Sequence, residues 1–477
     1  MFSDFGLMKS LKINRLLFVS FLILIFQSDG LAQRDRALTL EIFKELIEIN
    51  TTHSTGNTTE AAEAMAARLR TAGIPDKDIF IGGPHPKKGN LVARLRGNGA
   101  KKPVLLMAHI DVVEADIKDW SFDPFKFREQ DGFYYARGIS DDKAMASMFI
   151  ANMIRMKKEG FVPDRDIIVA LTADEEGGDH NGITWLIDNH RDLIDAEFAI
   201  NEGGGGLEKN GKKTLNGVQL SEKVYQSFQL EIKNPGGHSS RPHKDNAIYH
   251  LARAIMNLEG FDFPLNLNDG TRTYFERSAK LETGQLAEDM AGIAQTPPTA
   301  GAEERLSENP YYNALLHTTC VATMLDAGHA ENALPQTAKA VVNCRILPGE
   351  DPEKIRAKLI EVFDNDDISV TPMNPASQSK PTSLNPVVMR PIESITEMMW
   401  PGTPVIPTMS TGATDGYRTR NAGIPTYGVS GIFYDIKGSN AHGQDERLKV
   451  TAYDEGQAFL YALVKELTKP TSVSSNR

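Results

Sequence analysis

Val104–Asp111 reads VLLMAHID, an apolar run that closes on a histidine and, two residues later, an aspartate. An unbroken apolar run is what a strand buried on both faces requires, and open α/β sheets place their ligand-binding groups at the carboxyl ends of such strands. The pattern recurs. Ile167–Gly178 (IIVALTADEEGG) ends in two adjacent acids, and Phe198–Gly206 (FAINEGGGG) ends in a glutamate before four glycines. Ala136–Lys143 (ARGISDDK) and Ser439–Arg447 (SNAHGQDER) add aspartates and a second histidine from loops. These five segments together offer two histidines and several carboxylates. That donor set suits a two-metal hydrolytic centre on an α/β scaffold.

The surrounding sequence alternates in the same way. Helical spacing over Ala37–Ile49, Thr59–Thr71 (with Thr58 or Thr59 as cap), Met145–Lys158 and Gly182–His190 separates strands at Leu91–Arg96, Val104–Met107, Ile167–Leu171 and Phe198–Ile200. Strands alternating with helices predict a sheet layered between helices. Near residue 222 the character changes. Val224–Lys233 alternates as a half-buried strand, followed by a helix at Asn246–Leu258, strands at Thr318–Ala327 and Thr337–Ile346, a helix at Pro352–Phe363 and a strand at Ile368–Pro372. That βαββαβ order is the ferredoxin-like pattern, so residues 222–375 read as a second domain inserted into the first. Phe261–His317 is too long for a structureless loop and predicts extra helices such as Gly284–Ile293. The Pro- and Ser-rich stretch Asn374–Pro386 reads as the return linker. Ile392–Trp400 and Tyr453–Leu467 follow as helices, with a short strand at Thr426–Val429 between them.

A chain of 477 residues that is 40% hydrophobic can bury more than one core. Its net charge of -11 excludes a basic nucleic-acid-binding face. Residues 1–32 read as a signal peptide: Lys9, Lys12 and Arg15 precede the apolar Leu16–Phe26, and Gly30-Leu31-Ala32 supplies small residues for cleavage. The apolar stretch is short of the ~20 residues a membrane span needs. A secreted or periplasmic protein, free of the membrane after cleavage, is expected. Two cysteines, Cys320 and Cys344, rule out a disulfide scaffold. An exported chain permits a bond between them across a hairpin, and buried free thiols are the alternative; the sequence leaves both open.

Read singly, each motif has an ordinary explanation. A histidine after a strand is usually a packing residue, and Asp141-Asp142 before a helix can be solvated caps. Glu175-Glu176 is sharper, because adjacent acids directly after a buried strand repel unless a cation or solvent offsets them. Their side chains diverge, so one can bind metal while the other takes a proton. The four glycines after Glu202 lack the lysine and spacing of a phosphate loop. His442 gains meaning only because two metals need a second imidazole.

Taken together the segments resemble the aminoacylase/carboxypeptidase G/dipeptidase family of two-zinc peptidases, in its larger, carboxypeptidase-like branch. The likeness extends to Trp120–Phe125, Asp131-Gly132, Gly236–Ser240, Asn332–Pro335, Cys344–Gly349 and Gly412–Asp415. It departs at Val112-Val113-Glu114, where the family commonly has a proline, and in the long insertion. The resemblance implies a catalytic domain over 33–221 and 376–470 with a mixed sheet between helices. It also implies that the ferredoxin-like insertion serves as lid and dimerisation domain; 471–477 is left as a disordered tail. Two zinc ions per subunit follow, with cobalt or manganese as substitutes. Asp141 would bridge them, His109 and Glu202 complete one site, and Glu176 and His442 the other. Glu175 would be the general base, Asp111 would support His109, and Asp142 would stand beside the bridge without a ligand role. His238, Arg345, Asn332 and Gly412 would contact substrate: His238 at the oxyanion, often from a partner subunit, and Arg345 at a carboxylate. The implied activity is cleavage of an amide next to a free carboxylate, in peptides or dipeptides. Hydrolysis of N-acyl amino acids is the alternative, and an inactive peptide- or metal-binding relative the remote one.

Overall fold

The computed structural model describes residues 35–470; the expected signal peptide and the 471–477 tail lie outside them. The main body is a ten-stranded mixed sheet. Its order is Ile79–Gly82, Asn90–Leu95, Ile167–Thr172, Val104–His109, Phe198–Asn201, Thr426–Gly428, Lys212–Glu222, Gly206–Lys209, Phe433–Asp435, with Val405–Ser410 also paired to Lys212–Glu222. The apolar runs are buried on both faces, as an all-apolar strand must be. Leu106, Ala108, Val169 and Leu171 enter a core shared with the helices over 35–48, Thr58–Thr71, Lys143–Lys158 and Val450–Thr468. Their neighbours Leu105, Met107, Ile168 and Ala170 enter a second core with Ile183, Leu186 and Ile194 on the opposite face. The period of two divides the side chains between the layers.

Three of these strands set the site. Val104–His109 lies parallel to both Ile167–Thr172 and Phe198–Asn201, so their carboxyl ends share one edge of the sheet. His109, Glu175-Glu176 and Glu202 stand at or just beyond those ends.

The segment after residue 222 forms a four-stranded antiparallel sheet ordered Thr319–Ala327, Thr337–Ile346, Val224–Lys233, Ile368–Pro372. Helices Ala247–Glu259 and Pro352–Phe363 pack on it through Leu251, Ala254, Leu258, Ile355, Leu359 and Phe363. Cys320 and Cys344 stand directly opposite one another on adjacent strands and are joined in a disulfide. The long insertion carries four helices, Asp269–Ser278, Gly284–Ile293, Ala302–Ser307 and Pro310–Leu316. Their apolar faces close on Leu347 and Met409, and Arg277 Nη1 donates to Val405 O at 2.7 Å. The insertion is thereby tied to both sheets.

The structure departs from the sequence reading at several elements. The helix Thr58–Thr71 is capped by Asn57, whose side chain accepts from Glu60 N, and not by Thr58 or Thr59. Strands Lys212–Glu222 and Val405–Ser410 carried no readable signal. In Lys212–Glu222 the buried Asn216, Gln219 and Glu222 replace the expected apolar run. Each has a distant or neighbouring partner: Asn216 Nδ2 donates to Thr396 Oγ1 (2.9 Å), Gln219 Nε2 to Glu222 Oε2 (2.8 Å), and Arg420 forms an ion pair with Glu222 (2.7 Å).

Candidate metal centre

His109 ends its strand fully buried, and its two ring nitrogens face different partners. Nδ1 lies 3.1 Å from the backbone oxygen of Asp111 and 3.6 Å from Asp111 Oδ1. Nε2 lies 2.9 Å from Asp141 Oδ1 and 3.8 Å from Glu202 Oε1. The second oxygen of Asp141 turns the other way: Oδ2 is 3.3 Å from His442 Nε2, which is 2.9 Å from Glu176 Oε2. Asp141 therefore presents one oxygen to each of two imidazoles, each accompanied by a glutamate. His109, Asp141 and Glu176, and likewise His109, Glu175 and Glu202, bring ligand atoms within 4.8 Å of one another.

The electrostatics describe a site crowded with acids. Among the described residues, the basic groups within ion-pair distance of Asp141, Glu176 and Glu202 are His109 and His442. Burial lifts the Glu202 carboxyl well above the ordinary range against the pull of His109, and Asp141, Glu175 and Asp142 add to the lift. Burial also raises Glu175, reinforced by Asp415, Glu176 and Asp111. Burial opposes a charged Asp141, yet bonds from His109 and His442 hold it well below the usual value. Those bonds to Asp141 and Glu176 push His442 up to about 10. Protons on the two imidazoles thus offset the acids, where metal ligation needs neutral imidazoles and supplies the positive charge itself. Asp142 is buried with one oxygen unpartnered. The donor set fits two divalent cations. His109, Asp141 and Glu202 would hold one, and His442, Asp141 and Glu176 the other. Glu175 makes no side-chain hydrogen bond among the described residues and remains available for proton transfer.

Two supports went unread in the sequence. The Asp111 carboxylate accepts from the backbone N–H groups of both Glu175 (3.1 Å) and Glu176 (3.0 Å). It fixes the turn that carries the two acids, while its own backbone oxygen is the nearer partner of His109. Glu446, fully buried, accepts from Ser140 N (2.8 Å) and Asp141 N (3.2 Å) on one oxygen. Its other oxygen accepts from Gly138 N (2.9 Å) and Arg137 Nη1 (2.8 Å). One side chain four residues after His442 thus organises the loop of Asp141. The Glu202 glycines also have a steric reason: a Cβ on Gly204 would stand 2.0 Å from Gly428 O, so only glycine permits that approach.

The expected substrate contacts fall into two groups. Arg345 reaches out of the four-stranded sheet, stacks 4.7 Å from the Tyr225 ring centroid, and donates to Thr411 O at 3.4 Å, next to Gly412. His238 and Asn332 lie together in another place. Gly237–His238 pairs with Ala333–Leu334, Ser239 N donates to Asn332 O, and the exposed His238 ring bonds Ser240. Neither group is hydrogen-bonded to the metal-binding residues.

Comparison with known proteins fits this geometry. The sequence profile described as peptidase family M20/M25/M40 matches residues 105–466. The chain is 28% identical over 386 residues to human N-fatty-acyl-amino acid synthase/hydrolase PM20D1, covering 76% of this chain and 74% of that one. It is 29% identical over 388 residues to the probable carboxypeptidase S-like 2 of Dictyostelium discoideum, covering 77% and 72%. The fold resembles an M20 family metallo-carboxypeptidase, Sso-CP2, from Sulfolobus solfataricus: TM-score 0.62, 21% identity, 90% of this chain and 99% of that one. It also resembles the Bacillus subtilis YXEP protein, a dinuclear metal binding peptidase, with TM-score 0.58, 13% identity, and 91% and 98% covered.

Proposed function

Because the chain belongs to peptidase family M20/M25/M40 and is a metal-dependent hydrolase, we propose that it cleaves an amide bond adjacent to a free carboxylate. Peptides and dipeptides are the first substrate class, N-acyl amino acids the second. The observation that carries the reading is Asp141, whose two oxygens face His109 and His442 separately. The cations are zinc in this proposal. When bound they would lower the pKa of a water and polarise the scissile carbonyl. Glu175, with its unpaired carboxylate beside the cluster, takes the proton from the attacking water and passes it to the leaving nitrogen. Arg345 holds the substrate carboxylate in a bidentate grip, and Gly412 lines the same approach. His238 is assigned to the oxyanion. It bonds none of the metal-binding residues, which supports the assignment of a second subunit as its user.

The residues 222–375 act as lid and dimerisation domain in this reading. Val321, Met324 and Leu325 on the edge strand are exposed, as are Tyr249 and Met256 on the helix beside it. That unpaired edge and apolar face support a homodimer. Export completes the proposal, supported by the Cys320–Cys344 disulfide. No helix among the described residues is long and apolar enough to cross a membrane.

The test is hydrolysis of a panel of dipeptides and N-acyl amino acids, with and without chelator, by the wild type and Arg345→Ala. Loss of a charge-assisted contact of about 1.5–3 kcal/mol lowers kcat/KM roughly tenfold to hundredfold. Turnover indifferent to chelator would remove the metal from the mechanism. An unchanged kcat/KM in Arg345→Ala would remove the carboxylate requirement.

A further inference from the structure

The peptide group that joins Asp174 to Glu175 is gripped at both ends. Its N–H donates to Asp111 Oδ1 at 3.1 Å, and its carbonyl accepts from Asn181 Nδ2 at 3.1 Å. Asp174 has φ 53°, in the left-handed region that a residue bearing a Cβ seldom adopts unless held there. The same Asn181 nitrogen donates to Asp415 Oδ1 at 2.8 Å, so its two hydrogens serve two partners. Asn181 Oδ1 accepts from Thr184 N and Thr184 Oγ1, each at 2.9 Å, and caps the helix Gly182–Asn189. Asp415 is buried and braced: Thr172 Oγ1 lies 3.4 Å from its Oδ2, and Arg418 Nε lies 3.3 Å from its Oδ1. Asp415 closes the loop that begins at Ser410, which accepts from Lys223 N, and runs through Thr411, the partner of Arg345, and Gly412.

A helix cap needs only an oxygen, and serine, threonine or aspartate would supply one as well. The Asn181 amide nitrogen is surplus to that task, and both of its bonds go elsewhere. Asp111 grips the N–H edge of the acid turn. Alone it would leave the 174–175 peptide free to pivot about that edge, and a pivot carries the Glu175 side chain with it. Glu175 makes no side-chain hydrogen bond among the described residues, so the backbone beneath it sets where its carboxylate stands. We propose that Asn181 is a positioning residue for the general base. It fixes the carbonyl end of the 174–175 peptide and anchors it, through Asp415, to the loop that carries Gly412. Base and substrate loop are thereby held as one unit. This rests on the two-metal amide-hydrolase reading above, which makes Glu175 the base, and adds the residue that aims it.

The experiment uses the metal-loaded full chain and the fastest substrate of the dipeptide and N-acyl-amino-acid panel. Asn181→Ser keeps an oxygen at the cap and removes both N–H groups. Its kcat falls about tenfold to hundredfold, as a misplaced base requires. KM and the affinity for both metals stay within about threefold, because Glu176 N keeps its own bond to Asp111. Asp415→Ala, which frees the anchor, lowers kcat by a similar factor. The double variant is no slower than the slower single one, since both act through one strap. Asp415→Asn still offers Asn181 an acceptor and recovers most of the Asp415→Ala loss. Hydrogen exchange over residues 172–178, read by mass spectrometry, tests the strap without turnover: it quickens about tenfold in Asn181→Ser while the melting temperature confirms the fold. A kcat within about threefold of wild type, metal affinity that falls in step with kcat, losses that multiply in the double variant, or unchanged exchange each overturns the inference. Any of these can occur while the wild type still cuts carboxylate-adjacent amides. Absence of all hydrolysis by the wild type, with exchange quickened as described, would instead defeat the amide-hydrolase reading and leave the strap standing.

Discussion

Asp111→Asn exchanges one oxygen for an amide nitrogen in a buried side chain, and its effect can be worked from the hydrogen bonds. In the wild type, Oδ1 accepts from Glu175 N at 3.1 Å and Oδ2 from Glu176 N at 3.0 Å. An asparagine amide sets its own N–H against one of those backbone donors, whichever way it is turned. One charge-assisted bond is lost and its donor left unmet, at about 1–3 kcal/mol, and the surviving bond loses about half its strength. A total of about 2–4 kcal/mol follows, concentrated on the turn that carries both acids. The turn can relax, but relaxation moves Glu175, and a displacement of ~1 Å in a catalytic group costs about a hundredfold in rate. Loss of such a support also weakens metal binding about tenfold to hundredfold. Urea unfolding measures the stability loss, chelator competition the metal affinity, and kcat at saturating metal isolates the misplaced base. A folded Asp111→Asn with kcat and metal affinity both within about twofold of wild type would show that the turn is held by something else.

Three further outcomes follow from the same structure. Glu446→Ala leaves the buried Arg137 without its 2.8 Å partner and the N–H groups of Gly138, Ser140 and Asp141 unmet, so unfolding free energy drops by about 3–5 kcal/mol; a loss under about 1 kcal/mol in urea titration contradicts that. Cys320→Ser opens a cross-link between residues separated by 24 in sequence and costs about 3 kcal/mol by chain entropy, seen as a lowered Tm that reductant reproduces in the wild type. Lys223 is buried, with Nζ donating to His317 O at 2.7 Å, and burial lowers it from 10.5 to about 7 against the attraction of Glu350. The unfolded chain binds the extra proton between those values, so stability relative to Lys223→Met rises with pH through that window, by on the order of a few kcal/mol; an equal difference at about pH 6.5 and about pH 9.5 would exclude it.

What the sequence could show depended on whether a residue's burden is local. Val104–Ala108 and Ile167–Leu171 declare themselves because strands covered on both sides need apolar side chains at every position. Lys212–Glu222 is as buried toward its end, but its Asn216 and Glu222 find partners in Thr396 and Arg420 far along the chain, which no periodicity can reveal, and Gln219 bonds Glu222. Asp111 was read as a partner for His109 because it stands two residues away. Its carboxylate does lie 3.6 Å from the His109 ring, and it also serves a turn some sixty residues on, a link set by strand adjacency. The cysteines remained ambiguous until register placed Cys320 opposite Cys344.

The Glu446 contacts bear on how two metals are gathered at once. His109 and Glu202 are fixed at the ends of adjacent parallel strands, a rigid frame, and Asp111 ties the Glu175-Glu176 turn to it. Asp141 and His442 are on loops, and a bridging carboxylate on a free loop would serve both cations poorly. Glu446 removes that freedom. Its carboxylate grips the backbone of Gly138, Ser140 and Asp141 across up to 308 residues of sequence, and Arg137 Nη2 donates in turn to Gly443 O at 2.9 Å, adjoining His442. The bridge and the second imidazole therefore share one buried knot and move together. A defect in the knot should loosen the cation held by His442 and Glu176 more than the one held by His109 and Glu202, whose other ligands stay on the sheet. Stepwise metal titration of Glu446→Ala distinguishes the two: one affinity falls well below the other if the knot works this way, and both fall equally if it does not.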